Sequence, residues 1–276
     1  MFSSYPTGSK RGPPISSFFS DPSPATKKIK HVRSLQSEGA SFQGQVISVL
    51  VGNEEKKFTI HADRLSASSE FFKRLLNSSS KGFLENATNE VRLPEHSPEV
   101  FELYAQFLYA GQIYSDPGKT ALDKNNNSHA LETNLLIDAI TLADYLQDDE
   151  FHNAAIDALI SQAIETNIWP VNSEWIGKAL TSGSASLVKL LKDFCVFNSN
   201  AAWWTNDKMG DSHPEFWISV AKEMALLLDG AGRPPMKWVP TNCNYHRHKA
   251  GVRCVSPALA VIESTSYFDD LQYWVG

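Results

Sequence analysis

The sequence predicts an α+β fold, in which a small sheet flanked by helices occupies residues 41–165 and a mostly helical region follows over residues 166–276. Two short apolar runs enclose a polar turn at residues 53–56, which is typical of a β-hairpin. Apolar residues then recur at helical spacing in several segments up to residue 165. All seven tryptophans lie at or after Trp169, so the composition of the chain changes abruptly there.

The two strands of the hairpin are predicted from the apolar pattern on each side of the turn. Residues 46–51 are almost all aliphatic and rich in β-branched side chains, as in a strand that is buried on both faces. After the turn, Phe58 and Ile60 alternate with Thr59 and His61, which favours a strand with one buried face.

Helices follow the hairpin, with one more short strand between them. Ser68 or Ser69 can cap a helix that has Glu70 in its first turn. Ser97 can cap a later helix that begins with Pro98, a residue whose missing N–H costs nothing at that position. This later helix ends at Gly111, and its apolar residues face one side: Val100, Phe101, Tyr104, Phe107 and Leu108.

Residues 116–132 are polar and rich in turn residues, so we interpret them as a surface loop inside the domain. Residues 133–165 return to a helical pattern. The residues that recur at helical spacing are Leu136, Ala139, Ile140 and Ala143 in the first half, and Phe151, Ala155, Leu159 and Ala163 in the second.

Pro170 supports a boundary near residues 167–172, after which residues 173–230 are predicted to be mostly helical. We expect tryptophans of this region to be core anchors rather than a ligand cage; they are Trp203, Trp204 and Trp217. The last predicted helix has one apolar stripe, formed by Trp217, Val220, Ala221, Met224 and Leu228.

Residues 1–40 hold nine Ser, five Pro and three Gly, a composition that predicts a disordered tail. Six Lys or Arg residues against two acids give this tail a net charge of +4, so the rest of the chain carries −10. The run Lys27-Lys28-Ile29-Lys30 matches a nuclear import signal, but it is equally typical of a solvated charge run. We expect an intracellular protein of the nucleus or cytoplasm.

Composition excludes several other classes of protein. Three cysteines are too few for a secreted disulfide framework, and the amino terminus lacks the apolar stretch of a signal peptide. The longest apolar runs are far shorter than the ~20 residues that span a bilayer, so we expect no membrane partner. An acidic body argues against nucleic acid as a partner, because binding phosphates requires clustered cations.

The order and spacing of these anchor residues resemble a BTB (POZ) domain over about residues 41–165. The shared pattern is a strand that ends in a histidine, followed by leucine, serine and phenylalanine at fixed distances, then by further apolar anchors. In this chain the matching residues are His61, Leu65, Ser69, Phe72, Phe83, Glu85, Val91, Leu93, Phe101, Leu108, Tyr109, Ala110, Gly111 and Ile113. The resemblance includes the divergent members that are abundant in filamentous fungi.

The resemblance implies a protein–protein interaction module without a catalytic or cofactor-binding site, so we expect no enzyme. It also implies a function as a substrate adaptor of a cullin-type ubiquitin ligase, with a nuclear or transcriptional regulator as the alternative. An enzyme in the carboxyl-terminal half is a competing hypothesis, but no sequence motif supports it. The partners would be other proteins, among them a cullin scaffold or a second copy of the chain. Two features depart from the family pattern. Gln45 replaces the usual aspartate, and of the extra amino-terminal helix and strand of the dimeric members only a short helix is indicated, by Val32 and Leu35, with no strand before Val46. His61 is interpreted as a structural residue, hydrogen-bonded to nearby backbone.

A cluster of cysteine and histidine lies in residues 241–254, with the sequence TNCNYHRHKAGVRC. Cysteine and imidazole together suit tetrahedral zinc, and four protein ligands would make the site structural rather than catalytic. The candidate ligands are Cys243, His246, His248 and Cys254. Two alternatives stay open: a basic turn, because three cations are interleaved, and a Cys243–Cys254 disulfide.

Overall fold

The computed structural model describes residues 44–77, 89–118, 127–199, 201–204, 212–229 and 243–248. The predictions that lie outside these ranges include the disordered tail over residues 1–40, the anchors Phe83 and Glu85, residues 119–126 of the predicted loop, and the candidate ligand Cys254. The proposed domain boundaries stay predictions.

The predicted hairpin is present and forms most of a three-stranded sheet. Strand β1 (Val46–Val51) lies in the middle, antiparallel to β2 (Lys56–His61) and parallel to β3 (Glu90–Leu93). The central position explains the aliphatic sequence of β1, because its inner residues are covered on both faces. Gly52 begins the turn with φ = 76°, a backbone conformation that favours glycine.

The described residues of the first half of the domain also form the helices α1 (Ala62–Ser68), α2 (Glu70–Asn77) and α3 (Pro98–Ala110). The caps follow the sequence closely. Ser69 accepts from the backbone N–H of Phe72 at 3.2 Å, and Ser97 caps α3 ahead of Pro98. Gly111 ends α3 in the left-handed conformation, as a helix carboxyl terminus favours.

Helices α4 (Asn127–Leu146) and α5 (Asp149–Thr166) pack against each other. A two-residue turn separates them, in which Gln147 has a positive φ. The predicted loop over residues 116–132 is wrong at its end, because α4 already begins at residue 127. The residues at the start of α4 are polar because they hydrogen-bond to α5, and this polarity led to the prediction of a loop. Gln162 of α5 donates to the backbone oxygen of His129 at 2.9 Å and to Glu132 at 3.0 Å.

The junction between α4 and α5 is held by the buried carboxylate of Asp148. It caps α5 by accepting from the N–H of Phe151 at 2.9 Å, and it also accepts from the hydroxyls of Tyr104 at 3.0 Å and of Ser68. Burial raises the pKa of Asp148, and these three donors act in the opposite direction by stabilising its anion. One side chain therefore joins α1, α3 and α5.

We expect Asp148→Ala to lower the free energy of unfolding by about 2–4 kcal/mol, as measured by urea denaturation. The loss combines an N-cap, worth ~1 kcal/mol, with a Tyr104 hydroxyl left buried without its acceptor, which costs ~1–3 kcal/mol. Asp148→Asn is the matched control. It should lose much less, because an amide oxygen still caps the helix and no charge is buried. Equal losses in the two variants would contradict the assigned role.

The described residues after residue 172 are mostly helical, as predicted, and those that are buried join the same hydrophobic core as α4 and α5. The helices are α6 (Ser173–Ser182), α7 (Ala185–Asn198), α8 (Ala201–Trp204) and α9 (Pro214–Asp229). Asn172 caps α6 by accepting from the N–H of Trp175 at 2.8 Å, and Gly183 ends that helix.

The predicted apolar stripe of α9 is correct in its centre and wrong at two positions. Val220 is buried, but Ala221 and Leu228 are exposed, Leu228 to 86%. Phe216 is buried and Leu227 partly buried, so the face that packs on the core is turned by about one residue from the predicted stripe.

The tryptophans only partly fulfil their predicted role as core anchors. Trp217 packs against the core, and its indole nitrogen donates to the backbone oxygen of Ser212 at 3.0 Å. Trp204 is 44% exposed, so that prediction is wrong for this residue. It lies on the short helix α8, with its ring edge-on to Trp217 at 5.8 Å between centroids. Trp203 is partly buried.

Candidate functional site

The outer face of α3 is the first candidate site. The opposite face of this helix is buried in the core, so only the outer face is available to a partner. The residues that it presents to solvent are Glu99, Glu102, Gln106, Tyr109 and Ala110. Near the amino terminus of the helix, the Ser97 hydroxyl donates to Glu99 at 2.5 Å and thereby lowers the pKa of that carboxyl. Glu99 is therefore an exposed, stably ionised group.

Two contacts fix α3 against the edge strand β2. Lys56 at the start of β2 forms an ion pair with Glu102, with 2.9 Å between Nζ and Oε2. At the other end of β2, the hydroxyl of Tyr109 accepts from the backbone N–H of His61 at 3.1 Å and lies 2.8 Å from His61 Nδ1. The ring of His61 thus contacts the side chain of Tyr109. These contacts give His61 a role in positioning α3.

The second candidate site is the segment of residues 243–248, which packs on α5 and α7. Its short 3-10 helix, Cys243–Tyr245, places the Tyr245 side chain in the core. The Tyr245 hydroxyl donates to Asp193 of α7 at 2.6 Å, and Lys189 Nζ lies 4.9 Å from the centre of the ring. Burial raises the pKa of Tyr245, so the hydroxyl stays protonated and keeps donating.

Side chains of α4 and α5 hold the rest of this segment. The amide of Asn153 pairs with the backbone of Arg247 in both directions, each hydrogen bond being 2.8 Å long. The Arg247 guanidinium forms an ion pair with Asp144. His246 Nε2 lies 2.7 Å from a carboxylate oxygen of Asp157. Arg247 therefore pairs with a carboxylate of the domain and does not belong to a solvated basic turn.

Three of the four predicted metal ligands come together in this segment. One ligand atom from each of Cys243, His246 and His248 lies within 4.8 Å of the other two. Cys243 and His248 are exposed, and His246 is partly buried. The fourth predicted ligand, Cys254, lies outside the described residues.

Sequence reasoning missed the groups that surround these ligands. Asp157 and Asn153 are 89 and 94 residues away from their partners, His246 and Arg247. Asp157 and Asn153 both lie on α5 and face residues 243–248. The helical pattern of α5 identifies its polar face, but it does not show which segment packs on that face. Tyr245 lies between the candidate ligands Cys243 and His246, and its large aromatic side chain was a signal that this residue could be buried.

A comparison with protein families matches residues 43–162 to the BTB/POZ domain. No curated protein matches this chain. In the described ranges, no helix is long and apolar enough to cross a bilayer. The match covers the sheet, α1–α4 and most of α5, including the exposed face of α3, and BTB/POZ domains bind other proteins. Residues 43–162 of this chain therefore form a BTB/POZ domain, which is a protein–protein interaction module.

Proposed function

We propose that the chain is a substrate adaptor of a cullin-type ubiquitin ligase. The BTB/POZ domain would bind the cullin, and the helical region after residue 172 would hold the substrate. The observation that supports this proposal is the exposed, acidic outer face of α3 on a domain of this family. The step from the domain to the ligase rests on analogy, since one fold serves many functions.

The chemistry of α3 suits a partner that presents cations. Glu99 and Glu102 lie on one side of the helix, three residues apart, and Glu102 already pairs with a lysine. Carboxylates at the rim of an interface mainly raise the rate of association and select partners of complementary charge. They can also be replaced without removing a core residue, which makes them suitable for a binding test.

Reversing these charges is expected to weaken binding of a purified cullin to the full chain. For Glu99→Lys with Glu102→Lys, we expect at least about tenfold weaker binding, equivalent to about 1.4 kcal/mol. The measurement is titration calorimetry or surface plasmon resonance at two salt concentrations, and the effect should shrink at high salt. Loss of the exposed pair with Lys56 costs at most ~1 kcal/mol of stability, so the domain should stay folded.

Glu215→Lys is the matched control, because Glu215 is also an exposed acid in the first turn of a helix, but on α9. It should leave cullin binding unchanged. A parent protein that binds no cullin would refute the adaptor function and leave the interaction module without this assignment. Recovery of chromatin proteins in place of a cullin, by affinity purification with mass spectrometry, would favour the alternative of a nuclear regulator.

A further inference from the structure

We propose that Cys243, His246 and His248 bind a zinc ion that fastens residues 243–248 to the helices of the domain. Two ligands of one tetrahedral zinc lie roughly 3.5 Å apart, given zinc–ligand bonds of about 2.0–2.3 Å. The three ligand atoms are already within 4.8 Å of one another. Movements of about 1 Å, within reach of side-chain rotation, would complete the geometry.

The backbone that carries these ligands is held in place by contacts that need no metal. Tyr245 is buried between Cys243 and His246, and its hydroxyl is bound by Asp193. Arg247, between the two histidines, is held by the amide of Asn153 and by Asp144. The ligand residues alternate with anchored residues, so little conformational freedom remains to be lost when a metal binds.

Asp157 supplies the outer partner that a metal-bound histidine commonly has. Such a histidine usually donates its second ring nitrogen to a carboxylate, which fixes the ring and makes it a stronger ligand. Asp157 lies 2.7 Å from His246 Nε2, so the zinc would bind through Nδ1. The same carboxylate partly offsets the charge of the cation.

The ligand types favour zinc over other common cations. One thiolate and two imidazoles suit a borderline-soft ion, whereas magnesium and calcium prefer oxygen ligands. The site is defined by these three described ligands, and the sequence predicts Cys254, outside the described residues, as the fourth. Structural zinc stabilises the folded state directly, and here it would add to the contacts of Tyr245 and Arg247.

The test is elemental analysis of the full chain, purified with a reducing agent and without added metal. We expect about one zinc ion per chain, and a loss of most of it in Cys243→Ser and in His248→Ala. Both residues are exposed, so these changes leave the core intact. Asn244→Ser, in the same segment and equally exposed, should keep its zinc.

A second measurement replaces zinc by cobalt, whose absorption reports a bound thiolate. The parent and Asn244→Ser should show a sulfur-to-cobalt charge-transfer band that Cys243→Ser lacks. A chelator should lower the melting temperature of the parent and leave that of Cys243→Ser unchanged. Zinc near zero with the thiols reduced, a zinc content unaffected by both ligand substitutions, or a Cys243–Cys254 disulfide in the parent would each overturn the proposal.

Discussion

Phe72→Ala is expected to unfold or aggregate the BTB/POZ domain. Phe72 has no exposed surface, and its ring packs edge-on against Phe71 at 5.2 Å between centroids. Truncating a buried phenylalanine costs ~3–5 kcal/mol, because the side chain loses its contacts and a cavity remains. A domain has only ~5–15 kcal/mol of stability in total, so this single change removes a large part of it. Thermal and urea denaturation of the full chain measure the loss.

Phe71→Ala is the matched control for this prediction. Phe71 is the neighbouring residue on α2, is only partly buried, and rests on the ring of Tyr145 at 5.2 Å. The same truncation should therefore cost clearly less there. If Phe72→Ala melts within a few degrees of the parent protein, the position is not a core position and the packing of α2 described above is incorrect.

Phe72 also shows what local sequence can predict. Phe72 and Phe101 follow capping serines at fixed distances, and both are fully buried, as the sequence predicted. The hairpin, the cap by Ser97 and the helix end at Gly111 depend on neighbours within a few residues. Such features are encoded by spacing, and one sequence is enough to recognise them.

The incorrect predictions have a different origin. Each depends on which distant part of the chain packs against the residue. The amino terminus of α4 is polar, and its packing on α5 through Gln162 is a long-range contact that the local sequence does not reveal. Leu228 continues a helical apolar pattern, yet nothing in that pattern reveals where the core ends. The open alternative of a basic turn placed Arg247 in solvent, whereas its carboxylate partner, Asp144, lies far away in the sequence. Long-range pairing of this kind is decided by the tertiary fold.

The candidate metal centre falls between these two cases. The spacing of Cys243, His246 and His248 marked the ligands, and the structure brings all three together. Asp157, which would orient His246, could not be found from spacing because it belongs to another element. A short motif thus identifies the residues that would touch a metal, but the residues that position them come from the rest of the fold.

Acid is expected to destabilise the protein through His152 before most carboxylates are protonated. His152 has no exposed surface, and its Nε2 lies 2.9 Å from the hydroxyl of Ser186. Burial, aided by the nearby charge of Arg247, lowers the pKa of His152 to about 4, although Asp144 and Asp149 act in the opposite direction. The folded protein therefore keeps this ring neutral at a pH where the unfolded chain protonates it.

The sign of the effect follows from proton linkage. Between pH 6.5 and about 4 the unfolded state binds one more proton than the folded state, so stability falls as the pH is lowered through this window. Above pH 6.5 both states are neutral at this residue and the contribution is constant. From pH 7 to pH 4.5 the expected loss is about 2–3 kcal/mol, since one pKa unit corresponds to about 1.4 kcal/mol.

Urea denaturation of the full chain at pH 7 and pH 4.5 measures this loss, and His152→Gln isolates it. Glutamine cannot be protonated, so the variant should lose about 2–3 kcal/mol less than the parent over the same interval, whatever its stability at pH 7. His96→Gln is the control. Burial also lowers the pKa of His96, but that residue is only partly buried and should contribute less. If His152→Gln shows the same pH dependence as the parent, then His152 is protonated in the folded state and the buried neutral ring assigned here is wrong.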